Sequence, residues 1–277
     1  MSLLRMYINK LISIIRKPEM KVLPGNIAFF LVLSIFPIIS LCGVVANIFS
    51  VSLDSVISFL SDFLPNGVSY VLIPYISGNG IDIHVGISIL TGYLVASNGA
   101  HSIIVSCNTL YGFKHSNYIK RRIKSLFVTI LLVLLFVFSL IVLAFGNSIL
   151  KFILSFNIFG NIGDNVYYMF LLLKWPFAIV FIFFMIKMIF IVCPDSFIKG
   201  SITTRGALFT TLAWIMSTFI YSFYVNHFSN YDIFYGSLSN IIIMIMWIYI
   251  LAYSLVIGVA INVQSYKDYI NNQKDKN

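Results

Sequence analysis

Long apolar segments alternate with short polar connections along the whole chain. The clearest pair lies near the C-terminus, where residues 201–228 and 237–263 are joined by a polar elbow over residues 229–236. Each segment exceeds the ~20 apolar residues with which an α-helix crosses a ~30 Å hydrocarbon layer. The pattern therefore predicts two membrane-spanning helices here, and the other segments are interpreted around them.

Four further apolar segments precede this pair. The six predicted spans cover residues 25–50, 84–110, 125–149, 166–192, 201–228 and 237–263. The predicted fold is therefore all-α and polytopic, with an N-terminal region over residues 1–24, a six-helix domain over 25–263 and a polar tail over 264–277.

Two amphipathic helices are predicted beside the spans. One lies within residues 2–17 and has an apolar face opposite a basic face, which is typical of a helix lying on anionic lipid. Packing of this helix on the protein's own loops is the alternative. The other covers residues 53–64 in the first loop, where apolar residues recur at helical spacing.

Composition agrees with a membrane protein, and the placement of charge predicts its orientation. Charged residues make up 10% of the chain, against roughly 25% in soluble domains. Seven segments flank the six spans, and the number of Lys and Arg residues in them alternates between high and low. In chain order the counts are five, none, five, one, two, none and three. The positive-inside rule then predicts both termini in the cytoplasm. The net charge of +9 is explained by this topology and by attraction to anionic lipid headgroups, so no nucleic-acid partner is predicted.

Polar residues inside the predicted spans are the candidates for a substrate pathway. Lys174 lies about eight residues, or ~12 Å, inside the outer end of the fourth span. A charge at that depth is costly unless it snorkels, pairs or meets water. The second span carries a stripe of small and polar residues that we expect to face inward: Ser88, Thr91, Gly92, Asn98, Gly99, Ser102, Ser106 and Thr109.

The predicted pathway combines Lys174 with this stripe, with His101 and Asn108 on a neighbouring face, and with Tyr235 and Gly236 of the elbow. The polar side chains of this predicted pathway can also be explained by purely structural roles. Lys174 would snorkel to the outer headgroups, His101 would be a hydrogen-bonded packing residue, and Asn98 and Asn108 would join helices.

The spans contain no recognisable catalytic arrangement. The motifs of α/β-hydrolases, zinc proteases, P-loop proteins and dinucleotide-binding proteins are absent, and the carboxylates fall in predicted loops. Cys42, Cys107 and Cys193 lie in or at the ends of apolar segments without a C-x-x-C pair. We therefore expect no catalytic residue, disulfide, metal or cofactor.

Two prolines occupy matching places in the two halves of the predicted bundle. Pro37 and Pro176 lie at comparable depths in the first and fourth spans, and each is expected to kink its helix. Interrupted helices in matching positions are typical of transporters built from inverted repeats. The halves show no clear similarity at the residue level, so coincidence is the alternative.

Motifs spread along nearly the whole chain resemble the YihY/virulence-factor BrkB family of bacterial inner-membrane proteins. The residues that carry the resemblance are Phe36, Pro37, Asn108, Tyr111, Gly112, Pro176, Pro194, Gly206, Trp214, Tyr224, Trp247, Gly258 and Asn262. The resemblance implies a multi-pass protein of the bacterial plasma membrane. One departure is Ala260, which stands where the family often has Glu, and no mechanism that needs that carboxylate extends to this chain.

The resemblance also bears on function. Family members linked with resistance, ion exchange or lipid transport imply a transporter or permease, lipid-handling or ion-coupled, with membrane lipids and an unidentified substrate as partners. The alternative is a structural or scaffold membrane protein whose N-terminal helix and first loop are docking surfaces. Some members carry an old ribonuclease label, which we disfavour because the sequence offers no residues to activate water or hold metal on an exposed surface.

Overall fold

A computed structural model describes residues 12, 13, 16, 18–48, 83–139, 163–228 and 236–274. Six long helices occupy these ranges: α1 (Glu19–Ile48), α2 (Ile83–Tyr111), α3 (Tyr118–Ser139), α4 (Gly163–Val192), α5 (Gly200–Phe228) and α6 (Ser239–Lys274), with a single 3₁₀ turn at Gly236–Leu238. No strand occurs within the described ranges, which confirms the predicted all-α class for this part of the chain.

The helices coincide with the six predicted spans, with three extensions. α1 begins at Glu19 rather than at residue 25, so the last residues of the predicted N-terminal region form its first turns. α3 begins at Tyr118 rather than at residue 125, so the basic segment predicted as a loop forms its first turns. Lys and Arg are good helix formers, and the Asn117 carbonyl accepts the Arg121 amide at 3.0 Å. α6 continues to Lys274 through residues predicted only as a polar tail. No Gly or Pro interrupts it after Gly258.

Several predicted features lie outside the described residues and stay predictions. They are the outer amphipathic helix over residues 53–64, the end of the third span over 140–149, the elbow residue Tyr235 and, apart from residues 12, 13 and 16, the N-terminal amphipathic helix over 2–17.

The helices pack in chain order, and α6 closes the bundle. Each helix contacts the next along the chain, and α6 packs against α1 and touches α2. Successive helices run in opposite directions, so one end of the bundle gathers the starts of α1, α3 and α5 and the ends of α2, α4 and α6. We call this the basic end, because it carries Lys114, Lys120, Arg121, Arg122, Lys124, Lys199 and Lys267.

The bundle has an apolar exterior. Large side chains of α4 and α5 are exposed, among them Leu172, Phe177, Phe219 and Ile220, whereas a water-soluble monomer rarely shows continuous apolar surface. Three helical segments are long and apolar enough to cross a membrane: Leu172–Val192, Gly200–Val225 and Ser239–Gln273, within the described residues. They correspond to the fourth, fifth and sixth predicted spans.

The backbones of α5 and α6 approach each other closely at Gly206 and Gly258. A Cβ atom on Gly206 would collide with the Gly258 carbonyl and the Asn262 side chain, and one on Gly258 would collide with the Thr210 hydroxyl. The Asn262 Oδ1 atom accepts the Gly206 amide at 2.8 Å. This contact between small residues fixes the two helices together near the basic end.

Candidate functional site

The most complete polar cluster in the described residues lies at the basic end and is centred on Asp195. Asn108, near the end of α2, donates from Nδ2 to Asp195 Oδ2 at 2.8 Å. In return, the Asp195 backbone amide donates to Asn108 Oδ1 at 2.8 Å. One buried asparagine side chain therefore holds both the side chain and the backbone of the residue after Pro194, which joins α2 to the α4–α5 connection.

Lys124 of α3 completes this cluster. Its Nζ atom lies 2.9 Å from Asp195 Oδ1, and the two side chains are only 18% and 7% exposed. It also donates to the Pro194 carbonyl at 2.6 Å, while the Ser116 amide donates to Asp195 Oδ2 at 3.0 Å. Burial raises the pKa of Asp195, but these hydrogen bonds and the Lys124 charge outweigh it, so its pKa lies below the ordinary value.

The cluster is largely satisfied internally, so it positions helices rather than offering a free ligand site. Asn108 was predicted from sequence, but its partners Lys124 and Asp195 were missed. One signal was available: residues 83–163 contain no Asp or Glu. The cations of residues 114–124 must therefore find any carboxylate elsewhere in the chain, and Asp195 follows the helix-ending Pro194 directly.

A second polar contact joins α2 and α3 nearer the middle of the bundle. The Arg122 guanidinium donates to Asn98 Oδ1 at 2.7 Å and to the Leu94 carbonyl at 3.1 Å. The neighbouring His101 ring lies 6.5 Å from the Tyr118 ring, between centroids. The Nδ1 atom of His101 is buried and has no hydrogen-bond partner within the described residues. Arg122 was also missed, because the sequence assigned it to a loop.

The predicted polar stripe of α2 turns inward over most of its described length. Gly99, Ser102 and Ser106 are buried, and the Ser34 hydroxyl of α1 bonds the Ala96 carbonyl beside them at 3.3 Å. The Ser102 and Ser106 hydroxyls have no hydrogen-bond partner among the described residues. Buried hydroxyls of this kind are usually satisfied by water or by another polar group.

A lateral groove of about 360 Å³ lies between α1 and α6, along part of their contact. Its walls are almost entirely apolar, and it is open on one side. A Cβ atom added to Gly25 would meet no atom within 4 Å, so the groove is open at this position. The lining residues are Gly25, Ala28, Phe29, Val32, Ile245, Met246, Tyr249 and Ile250. No pattern in the sequence predicted this groove, because a groove depends on how two distant helices approach each other.

The structure does not bring all predicted pathway residues together. Lys174 is half-buried on α4 and lies 18 positions before Val192, about 27 Å from that end of the helix. Asn108, in contrast, bonds Asp195 just beyond the same end. Gly236 adopts a positive φ of 52° at the start of the 3₁₀ turn, and its neighbour Tyr235 is outside the described residues.

Most residues that carry the family resemblance hold the helices together. Trp214 of α5 donates to the Leu251 carbonyl at 2.9 Å, and Trp247 of α6 donates to the Thr218 hydroxyl at 3.2 Å. Tyr111 stacks on Phe113, with ring centroids 5.1 Å apart, and Gly112 ends α2 with a positive φ of 72°. Phe36 and Pro37 lie within α1, while the side chains of Pro176 and Tyr224 are exposed.

Within the residues that the structure describes, no three His, Cys, Asp or Glu side chains converge on a point that would hold a metal ion. Cys107 and Cys193 are both buried and free.

Comparisons with known proteins place this architecture in a family. One relative is named "Putative ribonuclease-like protein YfkH", from Bacillus subtilis (strain 168); it is 25% identical over 248 residues, covering 88% of this chain and 89% of that protein. A "UPF0761 membrane protein" from Glaesserella parasuis serovar 5 (strain SH0165) is 29% identical over 131 residues, covering 47% of this chain and 45% of that protein.

A further relative, "UPF0761 membrane protein PSHAa0171" from Pseudoalteromonas translucida (strain TAC 125), is 26% identical over 103 residues, covering 37% of this chain and 34% of that protein. No solved structure matches the chain significantly. The family described as "Virulence factor BrkB" matches residues 12–277. The chain therefore belongs to the virulence factor BrkB family of membrane proteins.

Proposed function

We propose that this protein is a lipid-handling permease of the bacterial plasma membrane, with six spans and both termini in the cytoplasm. α1, α2 and α3 would then cross the bilayer beside the three helices whose length and composition already suffice. The alternation of Lys and Arg supports the orientation, because it places the basic end of the bundle at the cytoplasmic leaflet.

The groove between α1 and α6 is the observation that carries this proposal. It is open on one side, and its wall residues Phe29, Met246 and Tyr249 belong to the exposed apolar surface. In a bilayer, that surface faces acyl chains rather than water. A volume of about 360 Å³ falls within the range of small-molecule sites, roughly 300–1,000 Å³. The groove therefore fits one acyl chain entering sideways from the membrane.

Polar residues of α2 beside the groove helices support handling of a whole lipid rather than of a hydrocarbon chain alone. α2 contacts both groove helices, and its inward stripe includes the Ser102 and Ser106 hydroxyls, which lack partners within the described residues. A headgroup near this stripe would satisfy hydroxyls that are costly to bury unpaired. We propose that the acyl chain occupies the groove while the headgroup follows the stripe.

Substitution of Gly25 tests the proposal directly. Gly25→Leu should fill the groove without strain, because a Cβ atom there meets nothing within 4 Å. We expect the rate of fluorescent phospholipid transfer between the leaflets of proteoliposomes to fall at least fivefold. The matched control is Val22→Leu, one turn earlier at an exposed position outside the groove, which should transfer lipid at the wild-type rate. Equal rates for Gly25→Leu and wild type would rule out the groove as the route.

The name of the Bacillus relative raises ribonuclease activity as another function. The described residues do not favour it for this chain, since the Asp195 carboxylate is engaged by Lys124, Asn108 and Ser116. A general base must reach the proton it removes, and this carboxylate already accepts three hydrogen bonds.

A further inference from the structure

Arg122 is a fixed cation on the outer side of the α2–α3 contact. Two of its N–H groups are used by Asn98 Oδ1 and the Leu94 carbonyl. A guanidinium has five N–H donors in a rigid plane, so three remain for another acceptor. Because two bonds already hold the group in place, a ligand that it binds would cost little additional side-chain entropy.

Positive charge around Arg122 exceeds the negative charge available to it. Arg121 and Arg122 both lie within electrostatic range of His101. The carboxylate described near this segment is Asp195, which is paired with Lys124. The first turns of α3 also carry the positive end of the helix dipole, where anions rather than cations are favoured. The α2–α3 contact therefore presents an uncompensated positive potential.

Unpartnered donors and acceptors lie in the same region. The Nδ1 atom of His101 and the Nε atom of Arg121 are buried without a hydrogen-bond partner in the described part of the chain. Leaving such a group unsatisfied costs roughly 1–3 kcal/mol. Because both atoms are buried, a ligand on the exposed face would reach the Arg122 guanidinium rather than either of them.

The surface next to Arg122 is apolar and exposed. It includes side chains of both helices: Leu90, Leu94 and Val95 of α2, and Tyr118, Ile119, Ile123 and Phe127 of α3. A cation bordered by lipid-facing apolar side chains has the polarity pattern of a phospholipid, with the phosphate at the guanidinium and the acyl chains along the helices. A soluble anion would gain nothing from the apolar part of this surface.

We propose that Arg122 binds the headgroup phosphate of an anionic phospholipid that stays on the α2–α3 face. The guanidinium donates to two phosphate oxygens, a geometry in which Arg is stronger and more selective than Lys. The surrounding cations favour an anionic over a zwitterionic headgroup. This site is separate from the α1–α6 groove, and failure of either proposal leaves the other standing.

Native mass spectrometry of the detergent-purified full chain tests this site. The probes are dioleoyl phosphatidylglycerol, dioleoyl phosphatidylcholine and inorganic phosphate, each titrated alone. We expect one phosphatidylglycerol to bind wild-type protein more tightly than phosphatidylcholine does. Arg122→Gln should weaken that binding about tenfold, the effect of losing a charge-assisted bidentate contact. Lys120→Gln removes the same charge from an exposed neighbour and should weaken it less than threefold.

Arg122→Lys is a second variant, in case Arg122→Gln fails to fold. It keeps the positive charge but loses the planar pair of N–H donors. It should weaken phosphatidylglycerol binding roughly threefold to fivefold. Three results would overturn the proposal: unchanged affinity in both Arg122 variants, equal weakening by Lys120→Gln, or inorganic phosphate that binds as tightly as the lipid. The first shows that Arg122 is not a ligand, the second shows a diffuse charge effect, and the third shows a site for free phosphate.

Discussion

At the scale of single residues, Asp195 is the centre of the polar contacts at the basic end. Its carboxylate meets Lys124, Asn108 and the Ser116 amide at 2.8–3.0 Å. Each of these partners comes from a different segment, so one side chain fastens the end of α2, the α2–α3 loop and the start of α3 to the α4–α5 connection. The family resemblance marks Asn108 and Pro194 in this cluster, and the structure adds Asp195 and Lys124.

Asp195→Asn should therefore destabilise the bundle. At pH 7 we expect a loss of roughly 2–3 kcal/mol, because the charge-assisted bonds are weakened and the Lys124 ammonium stays partly buried without its counter-ion. The measurement is the apparent melting temperature in detergent. Asp268→Asn, on the α6 extension, is the matched charge control and should change the melting temperature little, since i,i+4 surface contacts such as that with Gln264 contribute only a few tenths of a kcal/mol.

The pH dependence of this difference has a defined sign. The pKa of Asp195 is lowered in the folded protein, so its stabilising contribution is fully present above the unfolded pKa of about 3.9. It is lost as the pH falls through the lower, folded-state pKa. The gap in melting temperature between wild type and Asp195→Asn should therefore be constant near neutral pH and shrink in strong acid. A gap that widened on acidification would contradict the assigned ion pair.

At the scale of helices, the α5–α6 crossing depends on the absence of side chains at Gly206 and Gly258. Helix propensity alone favours Ala over Gly by about 1 kcal/mol. At Gly206 that gain is opposed by collision with the Gly258 carbonyl and with Asn262. Because the nearest obstacle is the Gly258 backbone carbonyl, relief requires the two helices to move apart.

Gly206→Ala and Gly25→Ala should consequently have opposite effects. We expect Gly206→Ala to lower stability by roughly 1–3 kcal/mol through overpacking. Gly25→Ala should raise it slightly, since a Cβ atom there meets nothing within 4 Å. Thermal unfolding of both purified variants under identical detergent conditions provides the comparison. A stabilised Gly206→Ala protein would show that the crossing is looser than described.

The pattern of apolar and polar residues predicted the positions of the helices well. It did not predict contacts between residues that are far apart in the chain. Each helix follows from its own run of apolar residues. The start of α3 was misjudged because Lys120 and Arg121 look like a polar loop, although Lys and Arg also continue helices. At the site, Asn108 and Gly206 stood out by residue type. The pairing of Lys124 with Asp195 joins positions 71 apart, and no local pattern specifies which cation meets which carboxylate.

At the scale of the whole molecule, the bundle is apolar outside and holds its polar contacts between helices. Exposed Leu172, Phe219 and Ile220 contrast with buried Asn108, Thr210 and Asn262. This distribution suits a hydrocarbon solvent, in which association of helices relies on close packing and interhelical hydrogen bonds. Both proposed lipid contacts, the α1–α6 groove and the Arg122 site, require that solvent, and the proposed topology puts the basic end at the inner leaflet.

Membrane topology is therefore the measurement that tests the account most directly. Single cysteines at Lys120, Leu238 and Asn277, in a chain whose three native cysteines are replaced by alanine, would be exposed to a membrane-impermeant maleimide in right-side-out vesicles. The account predicts labelling of Leu238→Cys before permeabilisation, and of Lys120→Cys and Asn277→Cys only after it. Labelling of Lys120→Cys and Asn277→Cys from opposite sides of the membrane would contradict it.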